Sequence, residues 1–372
     1  MRIVVAPDSF KGSIDAAAAA AAIAEGWHAA RGGDELTCIP LADGGEGTLD
    51  VLAAAEPAAR WHTARVSGPG ERAVSSSWLE LPGRTAVVEI ARASGLPLLS
   101  RPDPLHAHTA GTGELIGRAL DAGAARIVLT LGGVASTDGG TGALTALGAR
   151  FTDASGSPLA AGGGALAELA SADLSGLRPP PPGGVTCLSD VTAPLLGPHG
   201  AAAVFGPQKG AGPGQVAALE AGLARLARVL GGDPAAPGAG AAGGTGYGFV
   251  TAWGAVIRPG AAELCRIAGL GAALARADLV ITGEGRYDLT STAGKVTGAV
   301  LAAAAAARVP AALVAGSIAA ELPAGSWRGV SLGELAGDVA AARAAPARWL
   351  RAAGQLLATD WGSGPGSAAA RT

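Results

Sequence analysis

Seven carboxylates stand in short, glycine-rich stretches of the chain. They are Asp8 in APDSFKGS, Asp43 and Glu46 in ADGGEGT, Asp138 in GGVASTDGG, Asp190 in SDVTAPLLG, and Glu284 and Asp288 in TGEGRYD. Cations stand in or near the same stretches, at Lys11, Arg286 and Lys295. Crowded carboxylates repel one another and raise one another's pKa unless something compensates. Mg²⁺ compensates, because it takes one or two carboxylates plus phosphate oxygens, and so do local cations. Metal ligands, cations for developing charge and a carboxylate base are what phosphoryl transfer requires. Any one of these acids, taken alone, reads equally well as a helix cap or turn former; seven in one class of loop call for more than that.

The loop ADGGEGT poses its own question. Glycine-rich turns between strand and helix usually hold phosphate on backbone N–H groups, and Asp43 and Glu46 would repel it. Gly44 and Gly45 let the backbone approach a ligand closely, so the acids are assigned to a metal or to substrate hydroxyls. The anion-holding role passes to Gly132, Gly133, Gly139, Gly140, Gly283 and Gly285. Lysine usage points the same way. Of 27 Lys plus Arg, only Lys11, Lys209 and Lys295 are lysines, and each adjoins a glycine. A compact ammonium suits phosphate oxygens in a way that a guanidinium fork does not always replace.

The elements that position these loops repeat one grammar: a short β-branched run, a loop, then a helical stretch. The runs are Arg2–Ala6, Leu36–Leu41, Ala125–Leu131, Val185–Leu188, Asp278–Thr282 and Ala311–Ala315. Six buried-type strands with helical crossovers predict an α/β fold with a Rossmann-like, doubly wound parallel sheet. In such sheets ligands bind beyond the carboxyl ends of the strands. Ser13 is expected to cap the Ala-rich first helix. Two segments break the grammar. Residues 60–90 alternate like antiparallel strands, and 201–258 hold one amphipathic helix near Val216–Leu230 and a glycine-rich loop. The expected organisation is a Rossmann-like domain (1–59, 107–198 and 268–358), a second, smaller α/β domain inserted into it (60–106 and 199–267), and a flexible tail (359–372).

Composition excludes several classes. A net charge of −3 gives no general pull toward nucleic acid or anionic membrane. No run reaches the ~18 apolar residues of a membrane-spanning helix. Cys38, Cys187 and Cys265 have neither zinc spacing nor an even count, which suggests a reducing, cytoplasmic setting. The chain has no GxxxxGK[ST] phosphate loop and no GxSxG elbow. A GxGxxG match at Gly238, Gly240 and Gly243 follows a Pro-containing loop rather than a strand, so it fails as a dinucleotide fingerprint.

With these loops in order, the chain resembles the bacterial glycerate kinases of the first type. The stretches that carry the resemblance are APDSFKGS (6–13), ADGGEGT (42–48), GTGELI (111–116), LGG…DGG (131–140), PLLG (194–197), GPQKGA (206–211), GAGAAGG (238–244) and TGEGR-D (282–288) with GK (294–295). The resemblance implies a two-domain α/β enzyme that uses ATP and Mg²⁺ to phosphorylate D-glycerate, in many members at the 2-hydroxyl. On that basis Asp190 is expected as the base, with Lys11, Asp8 and Arg286 beside it, and Lys11 or Arg286 on the glycerate carboxylate. Ser9, Gly44, Gly45, Gly132, Gly133, Asp138, Gly139, Lys209, Gly283, Gly285, Asp288 and Lys295 are expected to contact substrate or nucleotide. Asp43, Glu46 and Glu284 are expected to hold the metal. The expected partner is a small hydroxy acid, with no nucleic acid or membrane, and a homodimer is possible. The chain departs from the common family form at Val134, Ser136, Thr137, Ala193 and Thr290. Two other readings stand beside the kinase: an NAD-linked hydroxy-acid dehydrogenase and a non-catalytic hydroxy-acid-binding protein.

Overall fold

A computed structural model describes residues 1–292 and 295–361. Thirteen strands occur among these residues. They are β1 (Arg2–Val5), β2 (Glu35–Cys38), β3 (Arg60–Ser67), β4 (Ala73–Leu81), β5 (Thr85–Glu89), β6 (Arg126–Thr130), β7 (Arg150–Thr152), β8 (Ser171–Asp173), β9 (Val185–Leu188), β10 (Val256–Arg258), β11 (Leu279–Glu284), β12 (Ala311–Ala315) and β13 (Ser326–Ser331). The chain divides into two compact units, one of residues 1–43, 50–57 and 260 onward, the other of residues 44–49 and 58–259.

The first unit is a five-stranded sheet in the order β13-β12-β11-β1-β2, with every pairing parallel. Its three inner strands, β12, β11 and β1, are buried on both faces, as a parallel sheet covered on both sides requires, while the edge strand β2 (ELTC) is largely exposed. Ile3, Val5, Ile281 and Val314 pack under helices Ala16–Ala30 and Pro346–Trp361 on one face. Val4, Val280 and Leu313 pack under helices Gly260–Ile267 and Val296–Ala307 on the other. This is the doubly wound arrangement that the strand grammar predicts. The first helix begins at Ala16 and its cap is Asp15, whose carboxylate accepts the Ala18 N–H at 2.8 Å, not Ser13. The last helix continues to Trp361, so residues 359–361 of the expected tail are helical and buried in part, and residues 362–372 lie outside the described residues.

The second unit carries a six-stranded mixed sheet in the order β10-β9-β6-β5-β4-β3. Here the structure departs from the expected organisation. Strands β6 and β9 were expected beside β1 and β11, and residues 107–198 with them. They join the strands of residues 60–90 instead. The reason is β5: it turns antiparallel off β4, then runs parallel to β6 from Thr85↔Arg126 to Glu89↔Thr130. A buried apolar run announces a parallel strand but not its neighbour, and β5 supplies one. Helices Ala110–Asp121 and Thr245–Trp253 bury Leu115, Ile116, Phe249 and Trp253 against this sheet. The amphipathic helix Pro213–Leu230 buries Leu219, Leu223 and Leu226 in a separate core with Leu166 and Tyr247.

Candidate active site

In the first unit, the loops leaving β1, β11 and β12 at their carboxyl ends line a cavity of about 410 Å³. The first loop contributes Asp8, Ser9 and Lys11, and the second Glu284, Gly285 and Arg286. Lys295, just before helix Val296–Ala307, completes the group of expected residues gathered there. Asp8 is 7% exposed. Its N–H donates to Gly283 O at 2.8 Å and its Oδ1 accepts the Ser9 N–H at 2.6 Å. Burial, reinforced by the Asp43 charge, pushes its carboxyl up to about 6. Lys11 Nζ lies 3.2 Å from Asp43 Oδ2, and that carboxylate raises the lysine above its ordinary value.

Glu284 ends β11 and is 6% exposed, and burial raises its carboxyl too. Its Oε1 has no hydrogen-bond partner among the described residues, a costly state for a buried oxygen unless a ligand or ion meets it. Asp288 is engaged within its own turn. It accepts from the Thr290 N–H (2.9 Å) and hydroxyl (2.6 Å) and pairs with Arg286 Nε at 3.3 Å. These contacts, led by the Thr290 hydroxyl, lower its pKa. Lys295 Nζ donates to the same Thr290 hydroxyl oxygen at 2.9 Å, so this residue links an acid to a cation. Gly283 serves the sheet: a Cβ there would lie 2.2 Å from Val314 O.

The second unit has a cavity of about 340 Å³ lined by Gly132, Gly133, Gln208, Lys209 and Gly243 among apolar residues such as Phe205. Lys209 is 2% exposed. Its ammonium donates to Ser136 O and to the Thr137 hydroxyl (3.4 Å). Burial pushes it down to about 8, opposed by the nearby Asp138 charge. Asp138 is fully buried and receives five donors: the Thr109 N–H and hydroxyl, the Ser136 hydroxyl, and the N–H groups of Gly140 and Gly142. Gly139 follows with a left-handed backbone (φ 64°), packed on Leu226. Asp190 is exposed beyond β9 and lines neither of these two cavities.

The puzzle of ADGGEGT has a local answer. A Cβ on Gly132 would lie 2.7 Å from Gly45 Cα, so these glycines permit backbone-to-backbone contact. The anion at the start of helix Thr48–Ala55 is the protein's own Glu89, 1% exposed, which accepts the N–H groups of Gly47 (3.0 Å) and Leu49 (3.2 Å). Gly44 adopts the left-handed conformation nearby, and Glu46 is exposed. Sequence reasoning missed Glu89; the available signal was an acid closing a buried strand, VVEI. It also missed Arg343, which lines the first cavity from helix Val339–Ala344.

Among the described residues, no group of three or more His, Cys, Asp and Glu side chains gathers as a metal cage. The unpartnered oxygen of Glu284 and the carboxylate of Asp43 are hard donors of the kind that suit Mg²⁺ shared with phosphate oxygens.

The sequence profile of the Glycerate kinase family matches residues 3–362. The chain is 42% identical to a glycerate 2-kinase of Escherichia coli (strain K12), over 80% of each chain. It is 44% identical to a glycerate kinase of Bacillus subtilis (strain 168), over 82% of each. Among solved structures, a chain described as a glycerate kinase 2 from Salmonella typhimurium LT2 superposes with a TM-score of 0.87 at 39% identity, covering 98% of both chains.

Proposed function

The chain belongs to the glycerate kinase family, and on that premise we propose that it transfers the γ-phosphoryl group of ATP to a hydroxyl of D-glycerate, giving 2-phosphoglycerate. The observation that carries this reading is the match to proteins named glycerate kinase over four fifths of the chain. The first unit's cavity supports it, with two buried carboxylates and cations at the ends of parallel strands.

In this reading Lys11 or Arg286 holds the glycerate carboxylate. Asp190 takes the hydroxyl proton, with Asp8 close to Lys11 as a second carboxylate of the reaction. Ser9, Gly285, Asp288 and Lys295 serve substrate or nucleotide from the first unit. Gly44, Gly45, Gly132, Gly133, Asp138, Gly139 and Lys209 are further binding candidates of the second unit, and Gly283 holds β11 in place. Mg²⁺ belongs with Asp43, Glu46 and Glu284; when bound it neutralises phosphate charge. Asp138 acts through the loop it organises, because its oxygens are already taken up by five donors.

The dehydrogenase reading finds its glycines otherwise employed. Turns following helix Pro213–Leu230, rather than a strand, lead directly into Gly238. A Cβ on Gly240 would lie 2.3 Å from Pro194 O, and one on Gly243 2.2 Å from Ser136 O. We further propose a cytoplasmic enzyme, in keeping with three free cysteines, and a homodimer, to be checked by light scattering. Among the described residues, no helix is long and apolar enough to cross a membrane.

The test is ADP release from ATP and Mg²⁺ with and without D-glycerate, with ³¹P NMR of the product. Glycerate-dependent ADP and a single 2-phosphoglycerate signal are expected. Release no faster than the glycerate-free blank would sink the reading.

A further inference from the structure

Four cations line the first unit's cavity: Lys11, Arg286, Lys295 and Arg343. Two of them are committed, Lys11 to Asp43 and Arg286 to Asp288. Lys295 gives a hydrogen bond to the neutral Thr290 hydroxyl, and Arg343 stands exposed in the last turn of helix Val339–Ala344. Neither is in an ion pair with a described residue. Both carboxylates of the cavity wall, Asp8 and Glu284, are buried, and among the described residues neither forms an ion pair with Lys295 or Arg343. The cavity therefore presents two cations that no carboxylate among the described residues holds in an ion pair.

We propose that Arg343, together with Lys295, binds a phosphate dianion in this cavity. A planar guanidinium can grip two phosphate oxygens at once, and an ammonium adds a point charge beside it. Two uncommitted charges match a dianion better than the single charge of a carboxylate. This makes Arg343 a binding residue supplied by a helix that carries none of the glycine-rich motifs. The inference rests on the kinase reading, which offers two sources of that chemistry: the terminal phosphate of ATP and the phosphoryl group of the product.

Calorimetry on the full chain separates them. Wild type, Arg343→Ala and Arg343→Lys are titrated with ATP in Mg²⁺, with 2-phosphoglycerate, with inorganic phosphate and with D-glycerate. Arg343→Ala should weaken at least one phosphate-bearing ligand by about tenfold or more, the loss expected from one charge-assisted hydrogen-bonding group. Lysine should restore part of it, and D-glycerate binding should change less than about twofold. A loss confined to ATP assigns the nucleotide phosphate, and one confined to 2-phosphoglycerate assigns the product's. Unchanged binding of every phosphate-bearing ligand, or a loss confined to D-glycerate, overturns the proposal. Because binding is read without turnover, a wild type that binds ATP but does not phosphorylate D-glycerate refutes the proposed reaction and leaves this one standing. Arg343 is exposed, so an unchanged melting temperature is the expected control.

Discussion

Thr109 holds Asp138 twice, through its backbone N–H at 2.9 Å and its hydroxyl at 2.8 Å, both on Oδ2. The same hydroxyl accepts the Ala143 N–H at 2.9 Å. A buried carboxylate therefore ties the start of helix Ala110–Asp121 to the loop after β6 and to helix Thr141–Ala146. Removing it leaves several buried donors unpaired, each at a desolvation cost. Asp138→Ala should lower the unfolding free energy by about 3 kcal/mol or more, and Thr109→Val by about 1 kcal/mol. Urea titration measures both; an Asp138→Ala loss below about 1 kcal/mol contradicts this account.

Asp8 makes stability depend on pH with a definite sign. Its folded pKa of about 6 lies above the ordinary aspartate value of 3.8. The folded state thus holds more protons than the unfolded chain between those values, and this group's contribution falls as pH rises through that window. Asp8→Asn removes the dependence. Relative to wild type, the variant should gain about 2 kcal/mol between pH 4 and pH 7. A constant difference across that range would mean that Asp8 titrates normally.

Turnover distinguishes the roles proposed for Asp190 and Lys11. Asp190→Asn should reduce kcat by about a hundredfold or more if the carboxylate takes the hydroxyl proton. Lys11→Ala should raise KM for glycerate by about tenfold while leaving the fold intact, since its pair with Asp43 is largely exposed. Near-normal kcat in the first variant removes Asp190 as the base, and an unchanged KM in the second removes the anchor.

The one hydroxyl of Thr290 serves two partners, donating to Asp288 and accepting from Lys295. Thr290→Val keeps the shape and deletes the link. KM for ATP should rise by about fivefold, the worth of roughly 1 kcal/mol, with little change in melting temperature. If steady-state kinetics show no change in KM for ATP, Lys295 is held in place by something else.

Much of this site was legible in the sequence because its parts are local. Asp8 and Lys11 follow a buried strand by a few residues, and Glu284 ends another, so hydrophobic runs and loop chemistry located them together. What was hidden depends on contacts across the chain. The runs of β6 and β9 read like those of β1 and β11, and only the parallel pairing of β5 with β6 assigns them to a different sheet. Glu89 looked like one more residue of an alternating strand until the N–H groups of Gly47 and Leu49 were seen to converge on it. Arg343 carries no motif; an arginine among many gains meaning only from a cavity in which Lys11 and Arg286 are already paired with carboxylates. Asp138 was found by its motif, but its five donors come from four residues and could not be read from spacing.

The strand order of the first unit has a consequence for how the protein is made. Strand β1 is synthesised well before its central neighbour β11, which it meets through contacts spanning 276 positions, such as Arg2 N–H to Asp278. At roughly 5–20 residues per second that wait is on the order of tens of seconds. During it, β1 and β2 have only each other as strand partners, with an open hydrogen-bonding edge on β1, and the face that carries Val4 lacks its later covering helices. The second unit, complete by residue 259, is under no such constraint. A nascent chain interrupted between these points would carry one finished unit and one exposed, adhesive hairpinless pair of strands, the form in which a chaperone would be expected to meet it.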